Sequence, residues 1–219
     1  MSLWLTYGLL GAVAGPVVIA QGGSVVRSEP LSWFHTAKTE WAAMLATGGL
    51  LSGTLVLVAW RLPAVAGAVS WLLIMGLLLS FIDWACHRLP HTLVAVLMAG
   101  GLIQCGLTAF SQPGSTGRLF RGTGATVLVF AIALMILLAT PHGFGAGDVT
   151  LSATVAFFLG WFSWWHVVTG PVLAFTLGAL AIGILRVRNP SARGLMIPFG
   201  PALVFASVGV VVLTEHKPA

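Results

Sequence analysis

Charge is the scarcest commodity in this sequence. Of 219 residues only 7% are Asp, Glu, Lys or Arg, against about 25% in an ordinary soluble domain. A water-soluble fold of this length could not cover its surface with so few charges. With 58% hydrophobic residues, the chain needs the bilayer as its solvent. Cysteine is nearly missing as well. Cys86 and Cys105 stand alone with no CxxC pair, which excludes a paired-cysteine zinc module and points to neither a disulfide nor a metal site. They read as small apolar residues in or near spans. The long apolar runs lack the alternation of polar and apolar residues that a membrane barrel requires, so strands are excluded and helices remain. A concentrated basic tract is lacking too. The net charge of +5 comes from Lys and Arg scattered through short loops, a pattern of cytoplasmic loops and anionic-lipid contact rather than of nucleic-acid binding.

Stretches free of charged residues run over 2–26, 41–60, 62–82, 92–117, 122–147, 149–185 and 194–214, and a helical span needs about 20 apolar residues. The stretch 149–185 is long enough for two short spans, with a break expected near His166–Pro171. The expected fold is therefore an all-α polytopic transmembrane bundle of eight spans, or seven if 149–185 crosses once, forming a single membrane-embedded domain over 1–219. The first run has no basic residue before Arg27 and reads as a retained span rather than a cleaved signal. The cluster Trp161, Phe162, Trp164 and Trp165 reads as an interfacial anchor, with His166 facing headgroups. The Ser111–Arg121 loop, rich in Ser, Gly and Pro, reads as a simple turn.

Loop charges set an orientation. With the N-terminus outside, Arg27, Lys38, Arg88, Arg186, Arg188 and Arg193 fall on the cytoplasmic side, and Arg61, Arg118, Arg121 and Lys217 on the other. Two spans separate Asp83 from Asp148, so the two belong to the same membrane face whichever way the bundle points.

Those are the only aspartates in the chain. Asp83 follows the apolar run 77–82, and Asp148 opens the run that starts at Val149. An ionisable carboxyl at membrane depth is costly and marks a functional site by default. Taken singly, each is equally well a boundary residue facing headgroups. Their surroundings add chemistry. Before Asp148 stands Pro141-His142-Gly143-Phe144-Gly145-Ala146-Gly147, a loop whose glycines permit close backbone approach and unusual conformations. After Asp83 comes Trp84-Ala85-Cys86-His87-Arg88-Leu89-Pro90, where the proline disfavours helix at the residue before it and should part the aspartate from the next span. A Cβ at Gly147 should harm the site more than the fold, whereas Gly114, remote in the Ser111–Arg121 loop, should tolerate one silently. His87, His91 and His142, with the two aspartates, form a competing metal-ligand set, against the plainer reading of solvated interfacial histidines.

At these residues the chain resembles the bacterial type IV prepilin peptidases, members of the GxGD class of membrane aspartic proteases. That family carries an aspartate seven residues before a proline, as Asp83 and Pro90 stand here. It carries a second aspartate in a GxGD loop, matched by Gly145-Ala146-Gly147-Asp148 with Val149 and Leu151. Near its C-terminus it has the segment read here as Ile197-Pro198-Phe199-Gly200-Pro201. The resemblance runs from about Val65 to Leu213. It differs from the full-length pattern in lacking the cysteine-rich insertion associated with N-methylation, in having Thr150 where a lysine is usual, and in having His91 where Asp or Asn follows the proline.

The resemblance implies an aspartic endopeptidase of the bacterial inner membrane that removes short leaders from prepilin-like proteins at the cytoplasmic face. Asp83 and Asp148 would be the catalytic pair, with Gly145, Gly147, Pro90, Pro198 and Gly200 shaping loop and substrate geometry. It implies no cofactor, no metal and no nucleic-acid partner. Two carboxyls a few Å apart cannot both ionise comfortably, so such a pair shares a proton. Two other readings stand beside it: a catalytically silent relative that scaffolds pilus or secretion assembly, and a proton-coupled transporter with the aspartates as relay.

Overall fold

A backbone in hydrocarbon has to satisfy its own hydrogen bonds, so apolar runs of this length become helices. The computed structural model describes residues 3–27, 36, 38–87, 89–140, 145–188 and 199–215. Among them lie eight helices: α1 (Leu3–Arg27), α2 (Trp41–Arg61), α3 (Ala66–Cys86, entered through a 3-10 turn at Pro63–Val65), α4 (His91–Ser111), α5 (Thr116–Ala139), α6 (Ala146–Phe162), α7 (Trp164–Arg188) and α8 (Phe199–Thr214). No strand occurs among the described residues. Six of the helices, α1 to α5 and α7, are long and apolar enough to cross a membrane, while α6 and α8 are shorter apolar helices of 17 and 16 residues. The chain is a polytopic helical bundle, as its composition requires.

The 149–185 stretch divides, but at Ser163 rather than near His166–Pro171. Pro171 lies inside α7 without ending it. The break comes earlier for two reasons. Arg121, reaching from α5, donates to the carbonyls of Gly160, Trp161 and Phe162 at 2.7, 2.8 and 2.6 Å, which closes the last turn of α6. Ser163 is then extended, with φ −164° and ψ 164°, and its hydroxyl accepts from the His166 N–H at 3.3 Å, the usual N-cap arrangement. The surroundings of that corner also differ from expectation. Trp161 and His166 are buried rather than interfacial, at 1% and 5% exposure. Trp161 packs in the main core, and His166 is held between Ser163 at 2.6 Å and Thr214 of α8 at 2.8 Å. Trp164 and Trp165 are exposed, as interfacial anchors should be.

Helix α6 forms the centre. Val149 and the run from Leu151 to Trp161 are all buried, the signature of a helix enclosed on every side. It packs on α3, α4, α5, α7 and α8. Small residues bring helices close. A Cβ on Gly160 would meet Ala125 Cβ at 2.8 Å and Gly122 Cα at 2.9 Å of α5. At the edge, α1 lies on α2 through Gly11 and Gly15 against Ser52 and Gly48, where a Cβ on either α1 glycine would strike α2 backbone. The Ser52 hydroxyl spans that seam to the Gly8 carbonyl at 2.8 Å. Cys86 is exposed and Cys105 buried, and both are free thiols.

Candidate active site

Both aspartates come to one place. A cavity of about 320 Å³ is lined by Asp83, His87, Leu89, His91, Gly145, Ala146, Gly147 and Asp148. Asp83 approaches from the last turn of α3 and Asp148 from the first turn of α6, with α4 and α5 returning the chain between them. The carboxyls lie within electrostatic reach of each other, and His87 lies within reach of Asp83.

Each carboxyl is fixed by the backbone N–H of a glycine. Asp83, 5% exposed, accepts at Oδ2 from the Gly200 N–H of α8 at 3.0 Å. A Cβ on Gly200 would stand 2.8 Å from that oxygen, so only glycine lets the donor come this close. Asp148, third residue of α6, reaches back to accept at Oδ2 from the Gly145 N–H at 3.1 Å, while its own N–H donates to the Gly145 carbonyl at 3.0 Å. This ties the carboxylate to the positive end of the helix it opens.

The segment between α3 and α4 shapes the other wall. Pro90 is the N-cap of α4, with φ −65° and ψ 116°, and it parts α3 from α4 as its restriction of the preceding residue predicts. His87 ends α3 in the left-handed region, φ 51° and ψ 34°, donating its N–H to the Asp83 carbonyl at 2.8 Å. It is the one non-glycine with positive φ among the described residues, a conformation that costs a side chain about 1–2 kcal/mol. Leu89, buried, sets its side chain on α6 at Gly147, where a Cβ would meet Leu89 Cβ at 2.7 Å.

The glycines act through close approach rather than through unusual φ. Gly147 is helical, whereas Gly114, expected to be indifferent, is the one with φ +83° among the described residues, in open space. The two positions at which the sequence departs from the family pattern meet each other. Thr150 Oγ1 lies 3.5 Å from His91 Nδ1 and donates to the Gly147 carbonyl at 2.9 Å. His87 and His91 thus share the cavity although Pro90 breaks the helix between them. No cluster of three or more His, Cys, Asp and Glu side chains placed to hold a metal occurs among the described residues. His142, Arg88 and Pro198 lie outside those residues. The packing role of Leu89 and the left-handed His87 escaped the sequence reading. For Leu89 the signal was an apolar residue directly before Pro90, and for His87 there was none.

Depth completes the geometry. Because Gly160 faces Gly122 on the antiparallel α5, Asp148 stands about level with Leu134. Helix α5 continues to Ala139, roughly 7 Å further at 1.5 Å per residue, so the cavity is recessed below the tip of its neighbour.

Fold and site together define a helical membrane protein with a pair of carboxyls in one recessed cavity. The model of the type IV leader peptidase family matches residues 69–213, a span holding α4 to α7 whole and nearly all of α3 and α8, and the chain belongs to that family; it is a membrane protease. No curated protein and no solved structure matches the chain.

Proposed function

We propose that this protein is a membrane aspartic endopeptidase in which Asp83 and Asp148 activate water to cleave the short leader peptide of prepilin-like proteins at the cytoplasmic face. The observation that carries the reading is that the chain's only two aspartates, 65 positions apart, line one cavity. The carboxyls share one proton. The ionised partner takes a proton from water as its oxygen attacks the scissile carbonyl. The protonated partner donates to the developing oxyanion, and then a proton passes to the leaving amine as the C–N bond breaks. The N–H groups of Gly200 and Gly145 hold the carboxyls in register for this exchange. Family membership supports a leader peptidase in general, and the resemblance implies a substrate with a basic leader ending in glycine, followed by an apolar helix.

The test is cleavage of a model prepilin by the purified, reconstituted protein. Asp83→Asn and Asp148→Asn should each lower turnover by on the order of 1000-fold or more while the protein remains inserted and folded. Substantial turnover in either variant would sink the mechanism. A loss of activity on chelation, restored by added metal, would shift the assignment to the histidines.

A further inference from the structure

At the end of the bundle opposite the aspartates, a cleft of about 470 Å³ opens between α1, α3 and α4. Three of its polar groups are uncommitted, whereas the Thr6 hydroxyl donates to the Leu3 carbonyl and the Trp71 N–H to the Leu97 carbonyl. The Tyr7 hydroxyl and the Gln104 side-chain amide form no hydrogen bond among the described residues. Ser70, 2% exposed, has an Oγ with no partner. The first two converge over Gly67, where a Cβ would lie 2.6 Å from Gln104 Oε1 and 3.8 Å from the Tyr7 oxygen. Glycine at 67 therefore leaves open the space into which they point. None of the lining residues is charged.

Polar groups without partners at membrane depth are costly, and the Tyr7 and Gln104 groups that face this cleft indicate something that satisfies them; Ser70 Oγ lies beneath them, out of reach of the cleft. Depth and chemistry identify it. Tyr7 and Ser70 each lie four residues from the end of their helix, about 6 Å in, whereas Leu10 and Ile74 line the cleft about 10 to 12 Å in. Hydrogen-bond donors near the interface above an apolar channel fit an acceptor that carries a hydrocarbon chain. The absence of charge disfavours a phosphate and suits a neutral carbonyl. We propose that this cleft binds the glycerol-ester region of a diacyl lipid. The Tyr7 hydroxyl and the NH2 of the Gln104 side-chain amide donate to the ester carbonyls, and one acyl chain lies along Leu10 and Ile74.

The experiment compares retention of diester and diether phosphatidylethanolamine by the intact protein in detergent, read by native mass spectrometry. The ether lipid keeps head group and chains but lacks the carbonyls. Wild type should retain the diester about tenfold more tightly, the scale of one or two net hydrogen bonds. Tyr7→Phe with Gln104→Leu should abolish that preference at an unchanged melting temperature in diether lipid. Equal retention of the two lipids by wild type, which needs no variant, would overturn the proposal. So would a preference that survives in the double variant, or one that follows head group rather than linkage.

Discussion

Gly200 and Gly145 each present a backbone N–H to a carboxyl where a Cβ would crowd it, and Gly147 admits Leu89 where a Cβ would not. This separates activity from stability residue by residue. Gly200→Ala places a methyl 2.8 Å from Asp83 Oδ2 and displaces the carboxyl. A displacement of ~1 Å can cost on the order of 100-fold in rate, and that loss should appear in kcat with the protein still folded. Gly147→Ala should act in the same direction by pushing Leu89 off α6. Gly114→Ala should do the reverse, lowering stability by about 1–2 kcal/mol at its positive φ with turnover unchanged. Melting curves beside cleavage rates check all three, and equal effects on activity at 147 and 114 would refute the close-approach account. At this scale the aspartates were legible in sequence because a charge in an apolar run has to be explained. The conformations of Gly147 and Gly114 were not, since a glycine looks the same whether it supplies a turn or a gap. The contact between His91 and Thr150 was hidden by the 59 positions between them.

Helices themselves were legible almost throughout, because apolar run length answers to the bilayer and not to tertiary detail. Their ends were less so. The division of 149–185 depends on Arg121, which loop counting assigns to a charge tally but which the structure uses to close α6. Ser163-Trp164-Trp165-His166 did carry an N-cap signal, which the more conspicuous Pro171 obscured. Two outcomes follow at this level. Arg121→Met keeps the apolar stem but leaves three carbonyls without their donor, and should destabilise the bundle by about 1–3 kcal/mol in chemical or thermal unfolding. Ser163→Ala should cost about 0.5–2 kcal/mol by removing the cap. If Arg121→Met left stability unchanged, the clamp would be incidental. Neither site borders the aspartate cavity, so the folded fraction of each variant should turn over at the wild-type rate.

For the molecule as a whole, the parity of spans predicts labelling. Cysteines introduced at Ala85 and Ala146 should react with an impermeant reagent from one side of the membrane, in a background where Cys86 and Cys105 are replaced. Opposite labelling would overturn the bundle's connectivity between α3 and α6. A third cysteine at Ala192 should label from that same side, and the side itself reports which face carries the cavity. The hydrogen bond from Gly200 to Asp83 joins residues 117 positions apart, and its donor lies on α8, the last of the described helices. A ribosome makes the chain in order, so Asp83 enters the membrane long before the group that fixes it has been synthesised. Until α8 arrives, both carboxyls are present but one of them has no backbone donor from that helix. Biogenesis thus holds a safeguard of its own: between the synthesis of Asp148 and that of Gly200 the nascent protein carries both acids in an unfinished site, completed only when α8 packs against α3.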